Sequence, residues 1–93
     1  MTRTVRLANR ARRDLLRLDD FLAAKSPGAA ERAMDALHVT LLSLGDHAER
    51  GRIGPHPDFR QINVRFGDSG YVIEYRITAS AVIVTHIKHA RER

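Results

Sequence analysis

Apolar residues recur along the first half of the chain at helical spacing. Between Arg10 and Ala24 the positions Ala11, Leu15, Leu18 and Leu22 fall at i, i+4, i+7 and i+11, which places them on one side of a helix. Asn9 stands where an N-cap is needed. The pattern breaks at Lys25-Ser26-Pro27-Gly28, where Ser26 can cap a second helix and Pro27 suits its first position, since its missing N–H costs nothing there. From Ala29 to Leu44 the stripe continues as Ala30, Ala33, Leu37, Leu41 and Leu44, with Gly45 expected to supply a left-handed residue at the end. A linker this short makes the two helices an antiparallel hairpin. Val39 and Leu42 lie opposite the second stripe; they are either covered on a second side or open to a partner, and the expectation is that they are covered.

The remaining apolar residues alternate. Residues 2 to 7 read as a short strand, and residues 45 to 59 as a loop punctuated by Gly and Pro. Ile62, Val64 and Phe66 then alternate with Gln61, Asn63 and Arg65, the period of a half-buried strand. After the turn GDSG, Tyr71, Ile73, Tyr75 and Ile77 alternate with Val72, Glu74 and Arg76. A third run, AVIVTHIK, is apolar on both faces in its first half and therefore reads as an interior strand. The order is β-α-α-β-β-β. It predicts an α+β fold of two layers, a helical hairpin packed on one face of a mainly antiparallel four-stranded sheet, as one domain over residues 1–93.

Such a sheet leaves its other face to water. By alternation that face collects Gln61, Asn63, Arg65, Glu74 and Arg76, and the shared parity of His86 and Lys88 adds them to it. It is either a surface that grips phosphates or an acidic segment, or the solvated side of a two-layer sandwich, and the second reading is favoured. Arg60 has the parity of Ile62 and so belongs at the rim of the buried face. There its guanidinium can tie loop carbonyls or a helix carboxylate such as Asp14 or Asp19 in place.

Composition narrows the picture. A chain of 93 residues buries about 60–65% of its unfolded surface, so its core is modest and an obligate partner is expected to help it. The net charge is +5, with 14 arginines against 2 lysines, which favours phosphates or acidic proteins as partners. Aromatic residues make up only 5%, and tryptophan is missing, so platforms for stacking nucleic-acid bases are poorly supplied. Without cysteine there is no disulfide, thiolate zinc site or cysteine nucleophile. No apolar run reaches membrane-spanning length, and the N-terminus does not read as a signal peptide, so a soluble cytoplasmic protein with no membrane role is expected.

Catalytic chemistry is thinly supported. His86 and His89 lie three apart with no acidic residue at ligand spacing, no serine sits at a nucleophile elbow, and GRIGP is not a phosphate loop. Neither a metal nor a cofactor is expected. What remains is metal-free phosphodiester cleavage, with His86, His89 or Glu74 exchanging protons and arginines stabilising charge.

Five pieces, VRLANRARRDLLRLDDFL, SPGAAERAMDAL, GRIGPHPDFRQINV, GYVIEYRI and VIVTHIKHARER, cover nearly the whole chain. Together they resemble the ParE branch of the RelE/ParE superfamily of bacterial type II toxins. The resemblance implies a toxin held inactive by a small ParD-like antitoxin with an acidic C-terminal segment. ParE-like members inhibit DNA gyrase, whereas RelE-like members cleave mRNA on the ribosome. Operator DNA would be met only through the antitoxin. An antitoxin would be received by Leu16, Val39, Leu42, Arg65 and Arg76, and the target by Arg76, Lys88, His89, Arg91 and Arg93. Were the protein instead a nuclease, Arg60, Arg76, His86 and His89 would be its catalytic residues. The loop before Arg60 has no lysine, and no tyrosine follows Tyr75. Both departures favour the branch that binds over the branch that cleaves.

Overall fold

The computed structural model describes residues 2–91. Strand β1 (Thr4–Leu7) leads into helices α1 (Asn9–Lys25) and α2 (Pro27–Ser43), followed by a short 3-10 turn over Ala48–Arg50. Strands β2 (Arg52–Ile53), β3 (Arg60–Phe66), β4 (Ser69–Ile77) and β5 (Ala81–His89) complete the order. The sheet has five strands in the order β1-β5-β4-β3-β2, all neighbours antiparallel except β1, which runs parallel to β5. The helices cover one face, as expected, and β5 is indeed interior. The additional strand is β2, hidden in the Gly/Pro loop. Both of its residues are exposed, and two residues are too few to show an alternation.

Helix α2 starts as the sequence dictates: Ser26 Oγ accepts from the Ala29 N–H at 3.2 Å, with Pro27 next in line. Helix α1 does not. Asn9 is already helical, and the cap position falls on Ala8, which offers no side-chain acceptor. The cause is local, because the Ala8 N–H donates to Val84 O at 2.9 Å and extends the β1–β5 ladder directly into the helix. The role expected of Gly45 also changes. Among the described residues only Gly67 and Gly70 have positive φ, both at the β3–β4 connection, so Gly45 is not the left-handed residue. Its bareness serves packing instead: a Cβ there would sit 2.8 Å from Arg3 O, where the start of the chain crosses the end of α2.

The core lies between the layers. Leu37, Leu44, Ile73, Val82, Val84 and Ile87 are almost wholly buried, each stabilising the fold by about 1.5–3 kcal/mol. Helix α2 meets α1 and the sheet with its Ala30–Leu41 stripe, which leaves its far side unopposed. Val39 is 67% and Leu42 61% exposed, so the expectation that they are covered is corrected.

The loop after α2 is hung from the sheet by two side chains. Tyr75, on β4, is fully buried; its hydroxyl donates to Ala48 O at 2.6 Å and accepts from the Gly51 N–H at 2.9 Å. Arg60 Nη1 donates to Gly51 O at 2.9 Å and Glu49 O at 3.3 Å. Arg60 thus ties loop carbonyls, one of the two roles expected of it, and leaves Asp14 and Asp19 to others. At Gly51 any side chain would collide with the Tyr75 hydroxyl.

Candidate interaction site

Three surfaces carry the residues singled out in the sequence. On the helical hairpin, Leu16 (65% exposed), Val39 and Leu42 stand in solvent. Val39 and Leu42 are i, i+3 neighbours on one side of α2 and form an apolar ridge.

The second surface is the uncovered face of the sheet. Because Tyr71, Ile73 and Tyr75 are buried, Val72, Glu74 and Arg76 point outward. Register places Lys88 beside Val72, and sets Arg6 and Arg76 on either side of Ile83. Arg65 is exposed on β3. Arg52 lies over the same face, donating to Gln61 Oε1 at 3.2 Å and Asn63 Oδ1 at 3.3 Å. Glu74 accepts from Thr85 Oγ1 at 3.1 Å. The face therefore gathers Arg6, Arg52, Arg65, Arg76 and Lys88 around one carboxylate. Arg6 and Arg52 were not singled out from sequence. The alternation of Thr4, Val5, Arg6 and Leu7 contains the signal for Arg6, but only the β1–β5 pairing shows which surface it joins.

His86 keeps the parity it shares with Lys88 but has a partner at the strand edge. The β4–β5 register shifts between Glu74 and Tyr75, so one extra residue, Thr85, intervenes between Val84 and His86. Past Val84 the strand β1 has ended, and α1 lies against the free edge of β5. Asp14 fills the gap: its Oδ2 accepts from the Ile87 N–H at 2.9 Å and from His86 Nδ1 at 2.6 Å, while Arg17 approaches Oδ1 at 3.8 Å. Arg10 Nη2 lies 3.5 Å from His86 Nε2. Burial works to raise the pKa of Asp14, but the Ile87 and His86 hydrogen bonds, with the charges of His86 and Arg10, outweigh it and hold the carboxyl below its ordinary value. His86 thus pairs with Glu74 on the parity it shares with Lys88, while Asp14 draws its ring toward the strand edge. Sequence reasoning missed Asp14 as a strand cap; its signal was a carboxylate at position 14 between Ala11 and Leu18 on the apolar stripe.

The third surface is the end of the molecule where β5 runs out. His89 packs edge-on against Tyr71, ring centroids 5.6 Å apart, and the exposed Arg91 follows it. Arg93 lies outside the described residues. Of the four residues a nuclease would need, Arg60 is tied to the loop, His86 to Asp14 of α1 and His89 to the Tyr71 ring, while Arg76 stands on the open face. Among the described residues no group of three or more His, Cys, Asp or Glu could hold a metal ion. No helix there is long and apolar enough to cross a membrane.

The fold matches a chain of the structure described as the chromosomal ParDE TA system from P. aeruginosa, with a TM-score of 0.82 over 97% of this chain and 98% of that chain. At 16% identity the likeness shows the fold alone, two helices on one face of a mainly antiparallel sheet. The sequence carries the assignment further. Residues 5–93 match the family "ParE toxin of type II toxin-antitoxin system, parDE", and the chain belongs to that family. Two curated relatives from Caulobacter vibrioides agree. Toxin RelE1 is 44% identical over 94 aligned positions, covering 100% of this chain and 99% of its own length. Toxin RelE3 is 38% identical over 91, covering 98% of each.

Proposed function

We propose that this toxin acts by binding and not by bond cleavage, that its target is DNA gyrase, and that a ParD-like antitoxin neutralises it. The observation that carries the reading, beside membership of the ParE family, is that three of the four residues a nuclease would use are engaged with different partners, Arg60 with the Glu49 and Gly51 carbonyls, His86 with the Asp14 carboxylate and His89 with the Tyr71 ring. A general base and its charge-stabilising partners must converge on one reacting atom. The cations that do converge, on the open sheet face, are suited to gripping a macromolecule. Target contacts are assigned to Arg76, Lys88, His89 and Arg91. The antitoxin is assigned to Leu16, Val39 and Leu42 on the hairpin and to Arg65 and Arg76 on the sheet.

The direct test is DNA supercoiling by purified gyrase with stoichiometric toxin. Inhibition is expected, and undiminished supercoiling would reject the target. Primer extension on translated mRNA after induction examines the alternative, ribosome-dependent cleavage. Discrete codon-level cuts abolished by His89→Ala and Arg76→Ala would establish that alternative instead.

Exposure of the hairpin ridge gives a second expected outcome. Val39→Asp or Leu42→Asp should weaken antitoxin binding by about ten- to a hundredfold, as for a central apolar contact. The urea midpoint of the free toxin should hardly move, because neither side chain is in the core. Titration calorimetry and urea melts of the same variants check both halves.

A further inference from the structure

An apolar cleft of about 550 Å³ opens between the second half of α1 and the ends of the central strands. Its floor is Leu22 with the tilted ring pair of Phe66 and Tyr71, centroids 6.2 Å apart. Phe21, 60% exposed, forms its lip and carries the Lys25 ammonium 4.3 Å from its ring centre. Arg17 and Arg91 stand at its rim, and no carboxylate lines it. A large aromatic left in solvent beside an open apolar cavity is costly unless a partner covers both. The volume falls within the range of sites that enclose a ligand group of a few rings or branches.

The geometry points to the cleft as the anchor site for one large apolar side chain of an acidic peptide segment, which we assign to the antitoxin; the assignment rests on the neutralisation reading above. Charge decides the flanks of the anchor, since Lys25 at the Phe21 lip and Arg91 at the rim pair best with carboxylates on either side of a buried apolar group. Chain continuity decides where the segment leads. Phe66 forms the floor while Arg65, its neighbour on β3, faces the open side of the sheet, so a segment anchored here passes directly onto the cationic face. A nucleic-acid backbone would satisfy the rim but leave the apolar floor uncovered.

The test compares wild-type toxin with Phe21→Ser, Arg91→Glu and Arg91→Lys for affinity to its ParD-like antitoxin, by titration calorimetry. Phe21→Ser and Arg91→Glu are each expected to weaken binding about tenfold or more, as for an interface anchor, while Arg91→Lys retains most of it. Melting temperatures should match wild type, because both side chains are exposed. If the antitoxin binds Phe21→Ser and Arg91→Glu as tightly as wild type while Val39→Asp weakens it, the cleft assignment falls and the neutralisation reading stands. Weakening by Arg91→Glu alone would mean that only charge is read there, and would also overturn the anchor. Failure of the wild-type toxin to bind the antitoxin would remove the reading itself and the cleft assignment with it.

Discussion

Tyr75→Ala is expected to lower the unfolding free energy by about 3–5 kcal/mol, as other buried aromatic truncations do. That is a large part of the total margin of a small domain, about 5–15 kcal/mol. Two effects combine. The ring leaves a cavity at the centre of β4, among Ile73, Val84 and Leu37 in the same core. The hydroxyl also joins Ala48 O and Gly51 N, so its loss leaves a buried donor and acceptor without their partner. Tyr75→Phe separates the two, because it keeps the ring and removes only the hydroxyl. It should cost about 1–3 kcal/mol, and amide exchange around residues 48–53 should accelerate. Urea denaturation read beside hydrogen exchange checks this. Equal midpoints for Tyr75→Phe and wild type would mean that Arg60 alone holds the loop.

The second large effect is expected at Asp14. Asp14→Ala deprives the Ile87 N–H and His86 of their acceptor at the edge of β5 and should destabilise the protein by about 3 kcal/mol or more. The carboxyl titrates below its ordinary value when folded, because its hydrogen bonds and cationic neighbours outweigh the opposing effect of burial. The unfolded state therefore takes up a proton first as pH falls. The stabilising contribution is complete above the unfolded pKa of about 3.9 and is lost as pH drops through the lower, folded value. Wild-type toxin should lose stability steeply below about pH 4, and Asp14→Asn should lack that part of the slope. Urea midpoints of both proteins, measured from neutral pH downward, give the comparison. Parallel profiles would remove Asp14 from the acid transition.

Much of the fold is legible in the sequence because it is written in periods. The stripes of α1 and α2, the Ser26–Pro27 start and the alternation of β3 and β4 each repeat often enough to be read. The run AVIV announces an interior strand because there the helices cover one face and side chains of both flanking strands, here Arg6 and Arg76 beside Ile83, crowd the other. Features that occur once are not legible in this way. Strand β2 has two residues and no period. The extra residue at Thr85 changes no composition, yet it carries His86 and Lys88 off the side shared by the buried Val82 and Val84. The start of α1 depends on a hydrogen bond to Val84, seventy-six positions away from Ala8, which no local rule contains. The candidate site divides similarly. Arg65 and Arg76 follow from alternation, and the tether made by Arg60 follows from its parity with Ile62, whereas Lys88 reaches the open face through the extra residue at Thr85. Asp14 acquires its role only when β1 stops short of the end of β5, and the cleft beside Phe21 exists only when α1 and three strand ends meet.

The parallel union of β1 with β5 has a consequence for the protein's synthesis. Thr4–Leu7 leave the ribosome more than seventy residues ahead of their ladder partners, Ala81–Val84. Until then the early strand has nothing to pair with, Asp14 has no edge to cap, and Arg6 stands apart from Arg76. The growing polypeptide thus passes through most of translation without an assembled cationic surface, and an antitoxin made alongside it has that interval in which to be waiting.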